Sequence, residues 1–219
     1  QRVAVARLIA LRSTFLLMDE PLSNLDAMLR TDMRSELKQL HRDLEATTVY
    51  VTHDQIEALT LSDTIVVMSE GVVQQQASPY DTYHHPANLF VAEFIGDPRI
   101  NCFSGTVLQR DGVHGVELDG FWFPTNGDLQ CSDGNVVVTI RPEVIQMSRE
   151  KKEGWIEAQV EIVQPTGANT IIQVRALRTQ IRLLQSGFLQ FELNAPIWLN
   201  IDVDAVNYFD ARSGRNLRV

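Results

Sequence analysis

The chain has 219 residues, 44% of them hydrophobic and 21% charged, with a net charge of −9. That length fits one large or two small domains, and the acidic balance argues against a nucleic-acid groove. No apolar run reaches membrane-spanning length, no signal peptide opens the sequence, and two cysteines (Cys102 and Cys131) are too few for a disulfide framework, so a reducing, cytoplasmic setting is expected.

The opening QRVAVARLIALR has helical apolar spacing from Val3 to Leu11, with no N-cap ahead of it and no initiator Met. A processed N-terminus is the bland account of this start, and a piece cut from a longer protein is the expectation. Phe15 to Met18 is a short continuous apolar run, as in a strand covered on both faces. From Ala27 to Leu44 the apolar residues Met33, Leu37, Leu40 and Leu44 recur at three and four, which predicts an amphipathic helix. TTVYVT is β-branched and predicts a second buried strand. DQIEALTLS predicts a short helix capped by Asp54. TIVVMSEGVVQQQA predicts two strands around a turn at Glu70-Gly71, and two short helical pieces follow, SPYDTYHHP and NLFVAEFIG. Strand–helix alternation of this kind implies an α/β layer with a mainly parallel sheet.

The pattern changes at the Gly96-Asp97-Pro98 turn. Residues 1–98 hold 7 basic and 14 acidic side chains, whereas residues 99–219 hold 12 and 14. Beyond the turn, short strands succeed one another: CFSGTVL, GVEL, FWFP, NVVVTI, WIEAQVEIVQ, TIIQVRAL, QIRLLQ and APIWLNID. Asp111-Gly112, Asp119-Gly120, Asn126-Gly127 and Asp133-Gly134 punctuate them. An α/β domain over 1–98 followed by an all-β barrel or sandwich over 99–219 is the expected architecture.

The stretch FLLMDEPLSNLD poses the chemical question. Adjacent carboxylates at the end of a buried strand repel each other and are costly without a cation nearby. A strand that ends and turns polar at the surface is the bland account. The sharper one is a metal site, with Asp19 at the strand tip holding Mg²⁺ and Glu20 polarising an attacking water. Some thirty residues later the second strand ends in VTHD, which puts His53 at its tip. Parallel strands bring their C-terminal ends to one crevice, so Asp19, Glu20 and His53 should converge. A lone histidine is more often a helix cap or a core residue, and Asp26 also reads as the N-cap of the helix that LDAMLR begins.

The ordered set QRVAVAR, FLLMDEPLSNLD and TTVYVTHDQIEAL resembles the second half of an ATP-binding cassette (ABC) ATPase, a P-loop NTPase. The resemblance implies that FLLMDE is the Walker B strand, with Asp19 serving Mg²⁺ and Glu20 as the catalytic carboxylate. It implies that SNLD is the D-loop, with Asp26 at the interface of a homodimer, and that His53 is the switch histidine that contacts the γ-phosphate of ATP. NLFVAEFIGDPRINCFSGTV, IRPEVI, PTGANTIIQV and VNYFDARSGRNL resemble the C-terminal OB-like (TOBE) regulatory domain of importer ATPases, closest to the maltose-type, sugar-importing class. Thr139 and Val144 stand where that class usually has Gly and His. The resemblance covers essentially the whole chain, but the phosphate loop, glutamine loop and LSGGQ signature are absent; in the family they precede the position of Gln1.

The implied function is that of the ATP-hydrolysing subunit of an importer. It would act as a dimer on membrane permease subunits, peripheral to the cytoplasmic face of the membrane, and this chain alone is expected to be inactive because nothing cradles the phosphates. The competing readings are a regulatory module that binds a ligand or protein through the OB-like domain, and a single-strand-binding OB fold, which the acidic balance disfavours. Arg141, Pro142 and Glu143 are expected to be structural, and Trp122, Trp155 and Trp198 to pack in the core.

Overall fold

A computed structural model describes residues 14–44, 46–118, 121–125, 129–176 and 178–218. The helix expected at Val3 to Leu11 and the turns at Asp119-Gly120 and Asn126-Gly127 lie outside them. The described chain is mostly β, with few helices, and divides into two compact units. One runs up to Val66 and takes in Gln76–Asp81; the other comprises Val67–Gln75 and Thr82 onward.

The first unit is built on strand β1 (Phe15–Asp19), helix α1 (Ala27–Leu44), strand β2 (Thr47–Val51) and helix α2 (Gln55–Leu61). β1 and β2 pair in parallel from Phe15 opposite Thr47 to Asp19 opposite Val51. α1 supplies the connection that a parallel pair requires. Its buried Met33 and Leu37 pack with Leu16, Met18 and Leu22 in one small core.

The expectation that both strands are covered on both faces is corrected here. Burial alternates along β1, so Leu16 and Met18 are covered while Phe15 and Leu17 are exposed, Leu17 to 67%. β2 follows suit, with Val49 and Val51 exposed. A continuous apolar run suits a strand with layers on both sides, and among the described residues only one side has its layer.

Strands β3 (Ile65–Ser69) and β4 (Val72–Ala77) form a two-stranded sheet of their own. Glu70 and Gly71 turn between them with φ of 50° and 77°. Two successive positive φ values are what a tight two-residue hairpin needs, and glycine takes the second without strain. Helices α3 (Pro79–His84) and α4 (Leu89–Phe94) follow, the latter capped by Asn88, whose side chain accepts from the Val91 N–H.

The β region resolves into two five-stranded antiparallel sheets. Its strands are β5 (Asn101–Arg110), β6 (Val113–Leu118), β7 (Phe121–Pro124), β8 (Asn135–Ile140), β9 (Ile145–Ser148), β10 (Ile156–Pro165), β11 (Asn169–Ala176), β12 (Thr179–Ser186), β13 (Pro196–Ile201) and β14 (Asn207–Asp210). One sheet has the order β14-β8-β5-β6-β7 and the other β12-β11-β10-β13-β9. Their alternating inward residues share one core, in which Val116, Val138, Val160, Ile172, Leu183 and Leu199 are almost wholly buried. The short strands β9 and β14 were not anticipated from the sequence. Each follows a one-turn 3-10 helix, Pro142–Val144 or Val203–Ala205, which hides a short strand behind turn-like residues.

Arg141 is structural, as expected. Its buried guanidinium donates to the carbonyls of Ile95 and, at 3.1 Å, Tyr83, and lies over the Tyr83 ring. The Tyr83 hydroxyl in turn donates to Glu143 at 2.5 Å. The tryptophans depart from expectation: all three are half-buried, and Arg110 and Lys152 sit over the rings of Trp122 and Trp155. An indole with a cationic head group over its face gains an attraction that needs no place in the core.

Candidate functional site

Parallel pairing of β1 with β2 puts the residues that follow each strand side by side. Asp19 closes β1 opposite Val51 and is exposed. The next residue, Glu20, takes φ of 44°, the left-handed region that non-glycine residues seldom occupy. Its N–H donates to the Val51 carbonyl at 2.8 Å, and its own carbonyl accepts from the Ser23 hydroxyl at 2.9 Å and the Ser23 N–H at 3.3 Å. Both flanking peptides are thus fixed. Such a conformation costs about 1–3 kcal/mol and persists only where its surroundings impose it.

The side chain that this turn presents meets His53. Glu20 Oε1 lies 3.0 Å from His53 Nδ1, with the side chains 45% and 72% exposed respectively. The hydrogen bond that His53 donates to Glu20, followed by the charge of that carboxylate, raises the pKa of His53 above its ordinary value. A histidine whose Nδ1–H donates to a carboxylate can also donate from Nε2 only when it is protonated. The raised pKa favours that doubly donating form.

His53 sits between two anchored residues. Thr52 Oγ1 donates to Glu57 Oε2 at 2.7 Å and accepts from the Asp54 N–H at 2.9 Å. Asp54 Oδ1 caps α2 through the N–H groups of Ile56 and Glu57, as expected from the sequence. Glu57 is buried, and its carboxylate also accepts from the Tyr50 hydroxyl at 2.9 Å. Burial, then the hydrogen bond to Glu57, pushes the Tyr50 phenol well above its usual range, so it stays a donor.

Asp26 does not join the Glu20–His53 pair by any hydrogen bond among the described residues. Its Oδ1 accepts from the Leu29 N–H at 2.9 Å, capping α1. Arg30 was missed by the sequence reading. From the first turn of α1 its guanidinium reaches the carbonyls of Leu25 (3.0 Å) and Ser23 (3.5 Å) and the carboxylate of Asp54 (3.4 Å). It therefore ties the loop after Glu20 to the residue after His53. A cation in a helix's first turn opposes the helix dipole, and that mismatch was the available signal. Among the described residues no group of three or more His, Cys, Asp or Glu forms a metal cluster.

Residues 138–209 match the family model of the TOBE domain. The larger unit therefore carries a TOBE, OB-like domain, a class of small β module. The chain as a whole is similar to longer proteins. It is 39% identical over 231 residues to an uncharacterized ABC transporter ATP-binding protein, YurJ, of Bacillus subtilis, covering 97% of this chain and 61% of that protein. It is 39% identical over 226 residues to the xylose/arabinose import ATP-binding protein XacK of Haloferax volcanii, covering 100% and 58%. It is 38% identical over 219 residues to the sn-glycerol-3-phosphate import ATP-binding protein UgpC of Escherichia coli K12, covering 99% and 61%. The chain is similar over nearly its whole length to ABC transporter ATP-binding proteins and spans about three fifths of the length of these curated relatives. Among solved structures, the cytoplasmic molybdate-binding protein ModG is similar over 49% of this chain and 94% of that one, with a TM-score of 0.38 and 17% identity, a likeness too slight to bear on fold or ligand.

Proposed function

We propose that this chain is the C-terminal portion of the ATP-hydrolysing subunit of an ABC importer for a sugar or a related solute. In this reading, residues 1–98 are the C-terminal half of an ABC-type P-loop ATPase domain and residues 99–219 its OB-like regulatory domain. That is a division by ancestry, distinct from the division into compact units. The intact subunit would dimerise, with Asp26 at the dimer interface, and would drive membrane permease subunits from the cytoplasmic face of the membrane.

The observation that carries the reading is the 3.0 Å pair of Glu20 and His53 at the C-terminal ends of two parallel strands. Glu20 is the general base for water and His53 is the switch. Its Nδ1–H holds the carboxylate, and its Nε2–H remains for an anionic oxygen. Asp19, exposed one residue before the base, suits Mg²⁺, which keeps most of its waters and binds through one or two carboxylates and substrate oxygens. Mg²⁺ with ATP supplies charge neutralisation of the reacting phosphates when bound. The residues described here offer no glycine-rich cradle for those phosphates, so this chain alone should not turn over ATP.

The test joins the chain to an upstream half carrying the phosphate loop and signature. Glu20→Gln keeps the shape and removes the base, so ATP binding should persist while turnover falls by about 10²–10⁴-fold. Turnover like that of the unmodified subunit would remove Glu20 from the role.

A further inference from the structure

A concavity lies wholly within the larger unit, away from Glu20 and His53 in the chain. It encloses about 360 Å³, within the range of small-molecule sites. Its floor is the outward face of β11 and β12, where Gln173 and Arg182 stand directly opposite each other and Gln180 lies two residues from Arg182 on the same face. Its wall is the segment that leads from α4 into β5: Glu93, Arg99, Asn101 and Cys102.

Asn101 makes this arrangement rigid. Its buried side chain accepts from the Arg182 N–H at 2.7 Å and donates to the carbonyls of Arg182 (2.9 Å) and Ile140 (3.1 Å). The start of β5 and the middle of β12 are therefore locked together, which fixes the backbone from which Arg182 projects.

The charges do not balance. Arg99 and Arg182 enter no ion pair among the described residues. The one lining carboxylate, Glu93, accepts instead from the Cys102 thiol at 3.6 Å. Burial, with Glu93 beside it, pushes that thiol up to about 12, so it adds no negative charge. Two guanidiniums face one lining carboxylate. The Gln180 amide donates at 2.8 Å to Glu161, a carboxylate already paired with Arg175. That leaves the Gln180 carbonyl oxygen and the Gln173 carboxamide beside the guanidiniums, a set that suits an anion on a polar body. Guanidinium forks match phosphate and carboxylate oxygens, and carboxamides both donate to and accept from hydroxyls. The volume exceeds what a bare oxyanion would fill.

We propose that this cavity binds a small organic anion, a phosphate or carboxylate group carried on a hydroxyl-bearing body of about sugar size.

The test uses the full 219-residue chain and glucose 6-phosphate as the probe, with glucose and inorganic phosphate as separate arms. Calorimetry should show saturable one-to-one binding of glucose 6-phosphate, with the other two much weaker. Arg182→Gln and Arg99→Gln should each weaken it about tenfold or more, the loss of one charge-assisted contact. Arg149→Gln, whose guanidinium donates to the Gln190 carbonyl and lies over the Phe191 ring, should leave it unchanged. Side-chain amide resonances of Gln173, Gln180 and Asn101 should shift on titration. Absence of saturable binding at millimolar probe, or binding indifferent to both arginine variants, overturns the site. Inorganic phosphate binding as tightly as the sugar phosphate overturns the organic body, and glucose binding as tightly overturns the anion. Because no nucleotide enters the experiment, its result is independent of the proposed ATPase role.

Discussion

The two compact units use the same apolar residue types to opposite effect. In the larger one, each sheet turns its apolar face to the other, and Ile172, Leu183, Ile197 and Leu199 lose essentially all contact with solvent. In the smaller one, an equally apolar pair of strands has α1 on one side, while Phe15, Leu17, Val49 and Val51 stay exposed on the other. The difference lies in how many layers the described chain supplies: parallel sheets are built to be covered twice, antiparallel sheets once. The consequence is a division of labour. The region with the completed core is expected to hold more of the stability, and the region with the half-covered sheet holds the acid–histidine pair.

Hydrogen exchange is the most severe way to break this comparison. Amides of β10, β11 and β13 should exchange only through global opening of the larger unit, and those of β1 and β2 faster by orders of magnitude. Equally slow exchange in both regions of a dilute sample would show that the two-stranded sheet closes without help. Side-chain truncation sharpens the same contrast. Leu183→Ala should cost about 2–5 kcal/mol in denaturant unfolding of the larger unit. Leu17→Ser, on the exposed face of β1, should cost within about 0.5 kcal/mol. A large loss from Leu17→Ser would mean that something covers that face in solution.

The smallest effect concerns pH. His53 should titrate above its ordinary value by NMR, and Glu20→Gln should return it toward that value, since the carboxylate's hydrogen bond and charge are the main causes of the shift. The sign follows from the raised value. The pair's contribution is fully present below about 6.5, the ordinary histidine value, and is lost as pH rises through the folded value. Both side chains are open to solvent, so the visible change is in the titration curve more than in stability. A His53 titration untouched by Glu20→Gln would dissolve the pair.

The sequence carried much of this and missed the rest for definite reasons. Period and β-branching located β1, α1 and β2 within a residue or two, and parallel pairing then required that the residues after β1 and β2 be neighbours. The proximity of Glu20 and His53 was legible for that reason. The exposed face was not, because an apolar run records the layers a strand is suited to, whether or not the chain at hand provides them. Arg30 escaped because its partners are two carbonyls and a carboxylate 24 positions away, contacts that leave no periodic trace. The strands β9 and β14 are four residues each and, unlike the aromatic FWFP of β7, lack a strong β-former pattern of their own; they pair with β13 and β8, which offer them a ladder.

The Asn101 side chain has one more effect. β12 lies at the border of its sheet, where main-chain donors and acceptors would otherwise face outward. At Arg182 both are already satisfied, by one carboxamide that imitates the next strand. Such a border is an invitation to intermolecular strand addition and fibrillar growth. A single asparagine withdraws that invitation at the middle of β12, so this sheet can meet other molecules through its outer face without being extended along its length there.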